Sequence, residues 1–385
     1  MRHATLTRFH RYWQARKVQK MTEQEFVAKS VNIQVGGASS FTQGKKALYR
    51  ALKGSSGMAV AYVPAEKQFY ALDNSGRLQR VSRASIERNA KTKGALESVL
   101  GAGPEFEFVI DMQDRRLRTI AEDGSAPFPV FCFNRHHEDR QRILWPLPIY
   151  HELGGEQFLS DMRPGAVDWE DKVSRVIWRG TITGRSKGTG PGRGEGMRVK
   201  TAYRRFRRGD MGKQKLLEIV STAPRYRAVA FATEDERYDF GFVDGGGYKI
   251  AQTLFHTEFE RPRVRRSDMQ RFKYIAVLRG VDVGSSFYWV MNSGSVGFVQ
   301  DTPFVTFASP LFKPWRHYIP FAEDCSNLNA AYEWAENKPF ECQKMARDAA
   351  RICSFLAEDS LRQKISLKVV DVISNAPKIE SGELA

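Results

Sequence analysis

The chain has 385 residues, of which 42% are hydrophobic and 12% aromatic, and its 60 Lys+Arg against 44 Asp+Glu give a formal charge of +16. At roughly 100–200 residues per domain, that length holds two domains or one large one, with enough apolar residues for a sizeable core, which excludes a globally disordered chain. The positive excess points to a polyanionic partner: nucleic acid, an anionic membrane surface or a phosphorylated substrate.

Residues 1–30 are basic, carry Trp13 and Phe26, and are predicted helical. Arg8, Arg11, Arg16, Lys17 and Lys20 would either touch anionic lipid or face solvent. Met58–Pro64 and Gln68–Leu72 read as strands, with a turn at Asp73-Asn74-Ser75-Gly76. Arg83–Leu100 reads as one helix. Phe106–Met112 and Pro127–Phe133 are predicted strands, the first followed closely by Asp114. The Pro164-Gly165 segment within 161–171 suggests a boundary between an N-terminal domain, 31–170, and a second domain, 171–340. Val173–Arg179 is a predicted strand that enters the Gly-rich stretch 184–196. Met197–Arg208 and Lys213–Thr222 are predicted helices, and Arg227–Ala232 is read as a strand. Phe272–Leu278 and Gly297–Gln300 continue a β/α alternation, which favours a mostly parallel sheet. Leu328–Trp334 and Glu341–Asp359 read as helices, and 341–385 as the helical segment that closes the fold.

Several chemistries find no support. The four cysteines are scattered, with no CxxC, so reduced thiols are expected rather than a disulfide framework or a metal site. No stretch approaches the roughly 18 apolar residues of a membrane span. The first residues lack the apolar core of a signal peptide, so the expected location is the cytoplasm, with the inner face of a membrane open as a peripheral site. The Gly-rich stretch has no Gly-Lys-Ser/Thr and is not a Walker A loop. It reads as a basic loop that either folds over a phosphorylated ligand or faces solvent. The clusters Arg204-Arg205-Phe206-Arg207-Arg208 and Arg261–Arg266 lack any recognisable nucleic-acid module; they are either a solvated face or a site for an anionic glycolipid. No Asp-x-Asp pair offers two carboxylates to a divalent ion, so Arg, Lys and backbone N–H groups would have to neutralise a leaving diphosphate.

Residues 273–320 carry the most informative pattern. Lys273-Tyr274, Arg279-Gly280, Ser293-Gly294-Ser295 and Lys313-Pro314-Trp315-Arg316-His317-Tyr318-Ile319-Pro320 stand in one order. With Trp178-Arg179-Gly180-Thr181 and Pro129-Val130-Phe131 upstream, and Ser326-Asn327-Leu328 downstream, they resemble glycosyltransferase family 90. That family includes protein O-glucosyltransferases and related capsule and lipopolysaccharide transferases. The likeness spans about residues 100–355.

The resemblance implies an α/β, GT-B-like architecture with two Rossmann-like domains facing across a cleft. It implies a UDP-sugar donor, UDP-glucose or UDP-xylose, no metal and no resident cofactor, and inverting transfer to a glycolipid or polysaccharide hydroxyl. Asp114 is implied as the catalytic base, with Asp111 as the second choice; the alternative for Asp114 is a cap or an ion-paired surface carboxylate. Arg279 is implied to stabilise the departing diphosphate. Arg179, Gly180, Thr181, Arg185, Lys273, Tyr274, Gly280 and Ser286 complete the implied donor site, with a strand-end salt bridge as the alternative for Arg179. Trp315, His317 and Tyr318 are implied to line the cleft or to pack beneath it. Two positions depart from the family pattern: Ser286 stands where many members have an Arg, and Thr306 where a Glu is common. The rival reading is a non-enzymatic basic protein on a degenerate transferase fold that binds nucleic acid or anionic membrane.

Overall fold

A computed structural model describes residues 21–114, 127–147, 159, 162–187, 195–243, 249–255 and 258–381. The basic residues Arg8 to Lys20 and the centre of the Gly-rich stretch, 188–194, lie outside the described residues. The first half contains α1 (Glu23–Val35), β1 (Phe41–Gln43), α2 (Lys45–Lys53), β2 (Val60–Val63), β3 (Gln68–Leu72), β4 (Leu78–Val81), α3 (Arg83–Glu87), α4 (Ala90–Gly101), β5 (Phe108–Ile110), β6 (Val130–Cys132), β7 (Asn134–His136) and β8 (Ile143–Leu144). The second contains β9 (Val173–Gly180), β10 (Arg185–Lys187), β11 (Glu195–Arg198), α5 (Val199–Arg207), α6 (Lys213–Ser221), α7 (Pro224–Thr233), β12 (Tyr238–Phe242), α8 (Ile250–Phe255), α9 (Arg266–Met269), β13 (Phe272–Val277), α10 (Phe287–Met291), β14 (Val296–Gln300), β15 (Phe304–Thr306) and β16 (Tyr318–Phe321). The chain ends with α11 (Leu328–Glu336), α12 (Pro339–Ala357), α13 (Asp359–Asn375) and β17 (Lys378–Glu380).

Two sheets carry the fold. The first runs β4-β3-β2-β5-β6-β8, antiparallel from β4 to β5 and parallel from β5 to β8. The second runs β12-β9-β13-β14-β16 and is parallel throughout. Numbered within this sheet, the strands lie in the order 2-1-3-4-5, a doubly wound arrangement whose direction of winding reverses between β9 and β13.

Side-chain alternation explains why this sheet is covered on both faces. Val176 and Trp178 of β9, Tyr274 and Ala276 of β13, and Val296 and Phe298 of β14 join one apolar cluster with α5, α6, α7 and α11. Ile177, Ile275, Val277 and Val299 point the other way, into a second cluster. A period of two places successive side chains on opposite faces, and apolar residues at both parities demand cover on each. The second cluster also holds Phe108, Phe131 and Trp145 from the first sheet and its surroundings, so both sheets share one body of apolar contacts.

Two readings from sequence change. Arg227–Ala232 is not a strand but part of α7. Pro224 occupies its first turn, and Ala228, Val229 and Ala232 are buried at helical spacing. A short apolar run has no periodicity of its own that separates strand from buried helix. The single helix read at 83–100 is two. Ser82 caps α3, and Asn89 starts α4 by accepting the N–H groups of Lys91 and Thr92 at 3.2 and 3.4 Å. Also unanticipated is the return of the C-terminus: α13 packs on α1, and β17 pairs in parallel with β1. No helix among the described residues is long and apolar enough to cross a membrane.

The halves are also joined by β7, which pairs antiparallel with β15. There the Asn134 side-chain amide donates to Asp282 Oδ2 at 2.6 Å, with both residues buried. Removing one partner of a buried, charge-assisted hydrogen bond costs more than the bond itself contributes. Asn134→Ala should therefore lower unfolding free energy by about 2 kcal/mol in urea denaturation, whereas an unchanged midpoint would show that this bond does not hold the halves together.

Candidate active site

A cavity of about 610 Å³ lies where the winding of the parallel sheet reverses. Its walls include Thr181 and Thr183 after β9, Arg279 and Gly280 after β13, and Gln300 and Asp301 at the end of β14. In open α/β sheets the loops at the carboxyl ends diverge at this point and leave a crevice. Asp114, four residues beyond the end of β5, borders the same space, so both halves of the chain contribute to it.

Asp114 is held by Lys91 at the start of α4, whose Nζ lies 2.8 Å from Oδ1 and 5.5 Å from the centre of the Phe133 ring. The carboxylate keeps access to the cavity: its side chain is 32% exposed. Asp111 differs. It is buried and accepts the Ser56 backbone N–H at 3.1 Å and the Ser56 hydroxyl at 2.7 Å. The first and second choices for the base thus occupy different surroundings.

Arg225 organises the other wall. From α7 its guanidinium donates to the carbonyls of Thr181, Leu278 and Arg279 at 3.0, 3.2 and 3.2 Å, and to Thr183 Oγ1 at 2.8 Å. Its charge also sits 5.6 Å from the Trp178 ring centre. One planar fork thus ties the ends of β9 and β13 together. The approach is close enough to require glycine: a Cβ on Gly280 would stand 3.1 Å from Thr183 Oγ1, and Gly184, at φ +125°, would place one 3.3 Å from Gly280 O. The sequence reading missed Arg225 because its helix begins where a strand was expected nearby.

Arg279 is 5% exposed and pairs through Nη1 with Glu323 Oε2 at 2.8 Å. Its backbone N–H donates to Gln300 Oε1 at 3.2 Å, and the Gln300 amide donates to Glu323 O at 3.0 Å. A half-exposed carboxylate in front of a buried Arg marks a place where an incoming anion could share the guanidinium. Arg198, Lys200, Thr201 and Arg204, around the start of α5, also line the cavity. None of these four was singled out as a cavity residue from sequence, although Arg204 belongs to the basic cluster noted there.

The remaining implied residues spread around this space. Gly180 stands two residues after Trp178, and a Cβ there would meet the Trp178 ring at 2.5 Å. Arg179 makes the strand-end ion pair, with Nη2 2.8 Å from Asp239 Oδ1, and is not among the cavity-lining residues. Arg185 starts the β10–β11 hairpin, also away from the lining. Lys273 donates to Ser174 Oγ at 2.7 Å, and Tyr274 is buried with its hydroxyl 2.6 Å from Glu336 Oε1. Ser286 immediately precedes α10, between the lining residues Ser285 and Phe287. Thr306 is buried, lines the cavity, and hydrogen-bonds with the Tyr288 hydroxyl at 2.6 Å.

The Lys313–Pro320 segment forms one cavity edge. Trp315 takes φ +61°, stacks edge-on against Trp334 at 5.0 Å and donates its N–H to Tyr318 O at 2.7 Å. Tyr318 lines the cavity, and burial pushes its phenol up to about 12. His317 is buried beneath, with Nδ1 accepting the Lys313 N–H at 2.7 Å. Burial pushes its imidazole down to about 4, reinforced by the nearby Arg316 charge. Among the described residues, no three or more His, Cys, Asp or Glu gather in a way that could hold a metal ion.

The His317 arrangement sets a pH dependence. The unfolded imidazole protonates near 6.5, whereas the folded one stays neutral to about 4. The stabilisation is therefore complete above pH 6.5 and declines as pH falls to about 4, by about 3 kcal/mol at most. His317→Asn keeps an acceptor for the Lys313 N–H without titrating. Its denaturation midpoint should fall less than the wild type's between pH 6.5 and 4.5, and parallel profiles would contradict this assignment.

The family model for glycosyl transferase family 90 matches residues 86–364. The chain is 23% identical to protein O-glucosyltransferase 2 of Danio rerio over 294 residues, covering 72% of this chain and 50% of that one. It is 23% identical to human protein O-glucosyltransferase 3 over 288 residues, covering 72% and 49%. Human protein O-glucosyltransferase 1 is 24% identical over 248 residues, covering 64% and 57%. The chain thus spans about half the length of the curated relatives it matches. With a family match over most of its length, the chain belongs to glycosyltransferase family 90.

Proposed function

We propose that the protein transfers a sugar, glucose or xylose, from a UDP-sugar to a hydroxyl of a surface glycan such as lipopolysaccharide or capsule, with inversion and without a metal. The observation that carries this reading is one cavity bordered by Asp114 on one side and by Arg279, Thr181 and Gly280 on the other. The architecture that goes with it is GT-B: the mixed sheet serves the acceptor and the parallel sheet the donor, with a domain boundary near residues 161–171. The excess of positive charge supports work at the inner face of a membrane, in the cytoplasm.

In the proposed step, the acceptor oxygen attacks the anomeric carbon as Asp114 takes its proton, because a neutral hydroxyl is a poor nucleophile. The bond from that carbon to the β-phosphate oxygen breaks, and UDP leaves with the electron pair. Lys91, ion-paired with Asp114 at 2.8 Å, holds the carboxylate in place at the cavity. Arg279 meets the charge that develops on the diphosphate, sharing its fork with Glu323. Arg225 and the cations at the start of α5 add to the positive field there. The Ser286 position brings no guanidinium to this wall, and Arg279 with the α5 cations supplies that charge instead.

A thermal-shift panel of UDP, UDP-glucose, UDP-xylose, UDP-galactose and GDP-mannose, with and without chelator, tests donor and metal together. One UDP-sugar should raise Tm in both conditions; at 100 times Kd the stabilisation is about 2.7 kcal/mol. No shift with any nucleotide, together with steeply salt-dependent binding of nucleic acid, would instead favour the basic binding protein. Asp114→Asn should keep the donor shift and lower transfer by about 10²–10⁴-fold. Full activity in that variant would remove Asp114 from the mechanism. Arg279→Lys should weaken UDP binding by about tenfold, because a point charge does not replace a planar fork.

A further inference from the structure

The outward face of α5 carries cations beyond the cavity. Val199, Ala202 and Tyr203 are buried against the sheet and Phe206 is half-buried, which fixes the orientation of this nine-residue helix. At 100° per residue, Lys200, Arg204, Arg207 and Arg208 then fall on one outward strip. Lys200 and Arg204 line the cavity, whereas Arg207 and Arg208 lie one further turn along, exposed and outside its lining. Successive cations four residues apart stand about 6 Å apart along the axis. No ion pair holds Arg207 or Arg208 among the described residues. The strip therefore begins at the reaction space and leads away from it.

A donor nucleotide concentrates its two phosphates at one place. A strip that leaves the cavity and repeats charge matches a longer ligand with anionic groups at intervals of several ångströms. We propose that the acceptor is an anionic glycan, bearing phosphate or carboxylate groups beside the receiving sugar, which lies along α5 over Lys200, Arg204, Arg207 and Arg208. The inference rests on the glycosyl-transfer reading of the cavity and adds the chemical class of the acceptor and the surface it follows. Continuity with the cavity and charge complementarity carry it, and Arg207 and Arg208 are the part that donor binding does not explain.

The test uses three probes: a fluorescent oligogalacturonate with one carboxylate per sugar, a neutral dextran oligomer of equal length, and a single-stranded oligonucleotide. Binding is measured by anisotropy at several salt concentrations. The wild-type chain should bind the oligogalacturonate at least tenfold more tightly than dextran, with log affinity falling linearly against log salt. Arg207→Gln/Arg208→Gln should lower that affinity about tenfold. Gln is chosen because it places no acid at the helix C-terminus. Tm without ligand should match the wild type, and the UDP-induced shift should be retained. Unaltered oligogalacturonate affinity in the double variant, or equal binding of dextran, would overturn the proposal. So would tighter binding of the oligonucleotide, lost in the same variant. If UDP shifts neither protein while the variant still loses the oligogalacturonate, the donor reading fails and the anionic track stands.

Discussion

The arrangement of this molecule turns on the Arg225 guanidinium. Two parallel strands that wind in opposite directions leave diverging loops at their carboxyl ends, with backbone carbonyls that no strand partner can reach. Arg225 supplies donors to four of the acceptors on those loops, two from the end of β9 and two from the end of β13. Because the fork is planar and rigid, it fixes the distance between the loops as well as satisfying them. Gly280 and Gly184 allow that close approach. The positions of Arg279 and Thr181, and hence the cavity wall, follow from it.

Around this junction, burial and hydrogen bonding divide the labour. The parallel sheet is apolar on both faces, and one of its two clusters is continuous with Phe108, Phe131 and Trp145. Apolar contact brings the two sheets together without specifying their relative position. The β7–β15 pairing and the buried Asn134–Asp282 hydrogen bond are directional and set that register. The return of α13 onto α1 and of β17 onto β1 adds a third connection. Asp114 reaches the same cavity as Arg279 only because of these links, since the strands that carry them lie in different sheets.

Charge follows the same logic. Within the cavity, Asp114 is neutralised by Lys91 and Arg279 by Glu323, so the opposing groups are paired before any ligand arrives. Such pairing keeps a partly buried charge from the full cost of desolvation and leaves it available to a better partner. Lys200 and Arg204 of α5 also line the cavity and give it a positive approach. The family relationship points to glycosyl transfer, a conclusion that net charge alone could not separate from nucleic-acid or membrane binding.

The sequence by itself determined the elements whose signals are local. The β/α alternation that includes the strands read at Val173–Arg179 and Phe272–Leu278 favoured a mostly parallel sheet, and the turn residues after Leu72 marked the β3–β4 hairpin. The ordered motifs from Trp178 to Pro320 identified the family, because order and spacing survive where overall identity is 23%. Tertiary structure decided what depends on distant partners. RAVAFA became a helix because Ala228, Val229 and Ala232 meet an apolar cluster at helical spacing. Arg179, Lys273 and Tyr274 sit inside recognisable motifs, yet their polar atoms are taken up by Asp239, Ser174 and Glu336. Arg225 belongs to no motif and joins the two loops that form the cavity wall. A motif records which residues occur together; only the path of the backbone fixes which polar atoms meet, because hydrogen bonds depend on distances of a few tenths of an ångström.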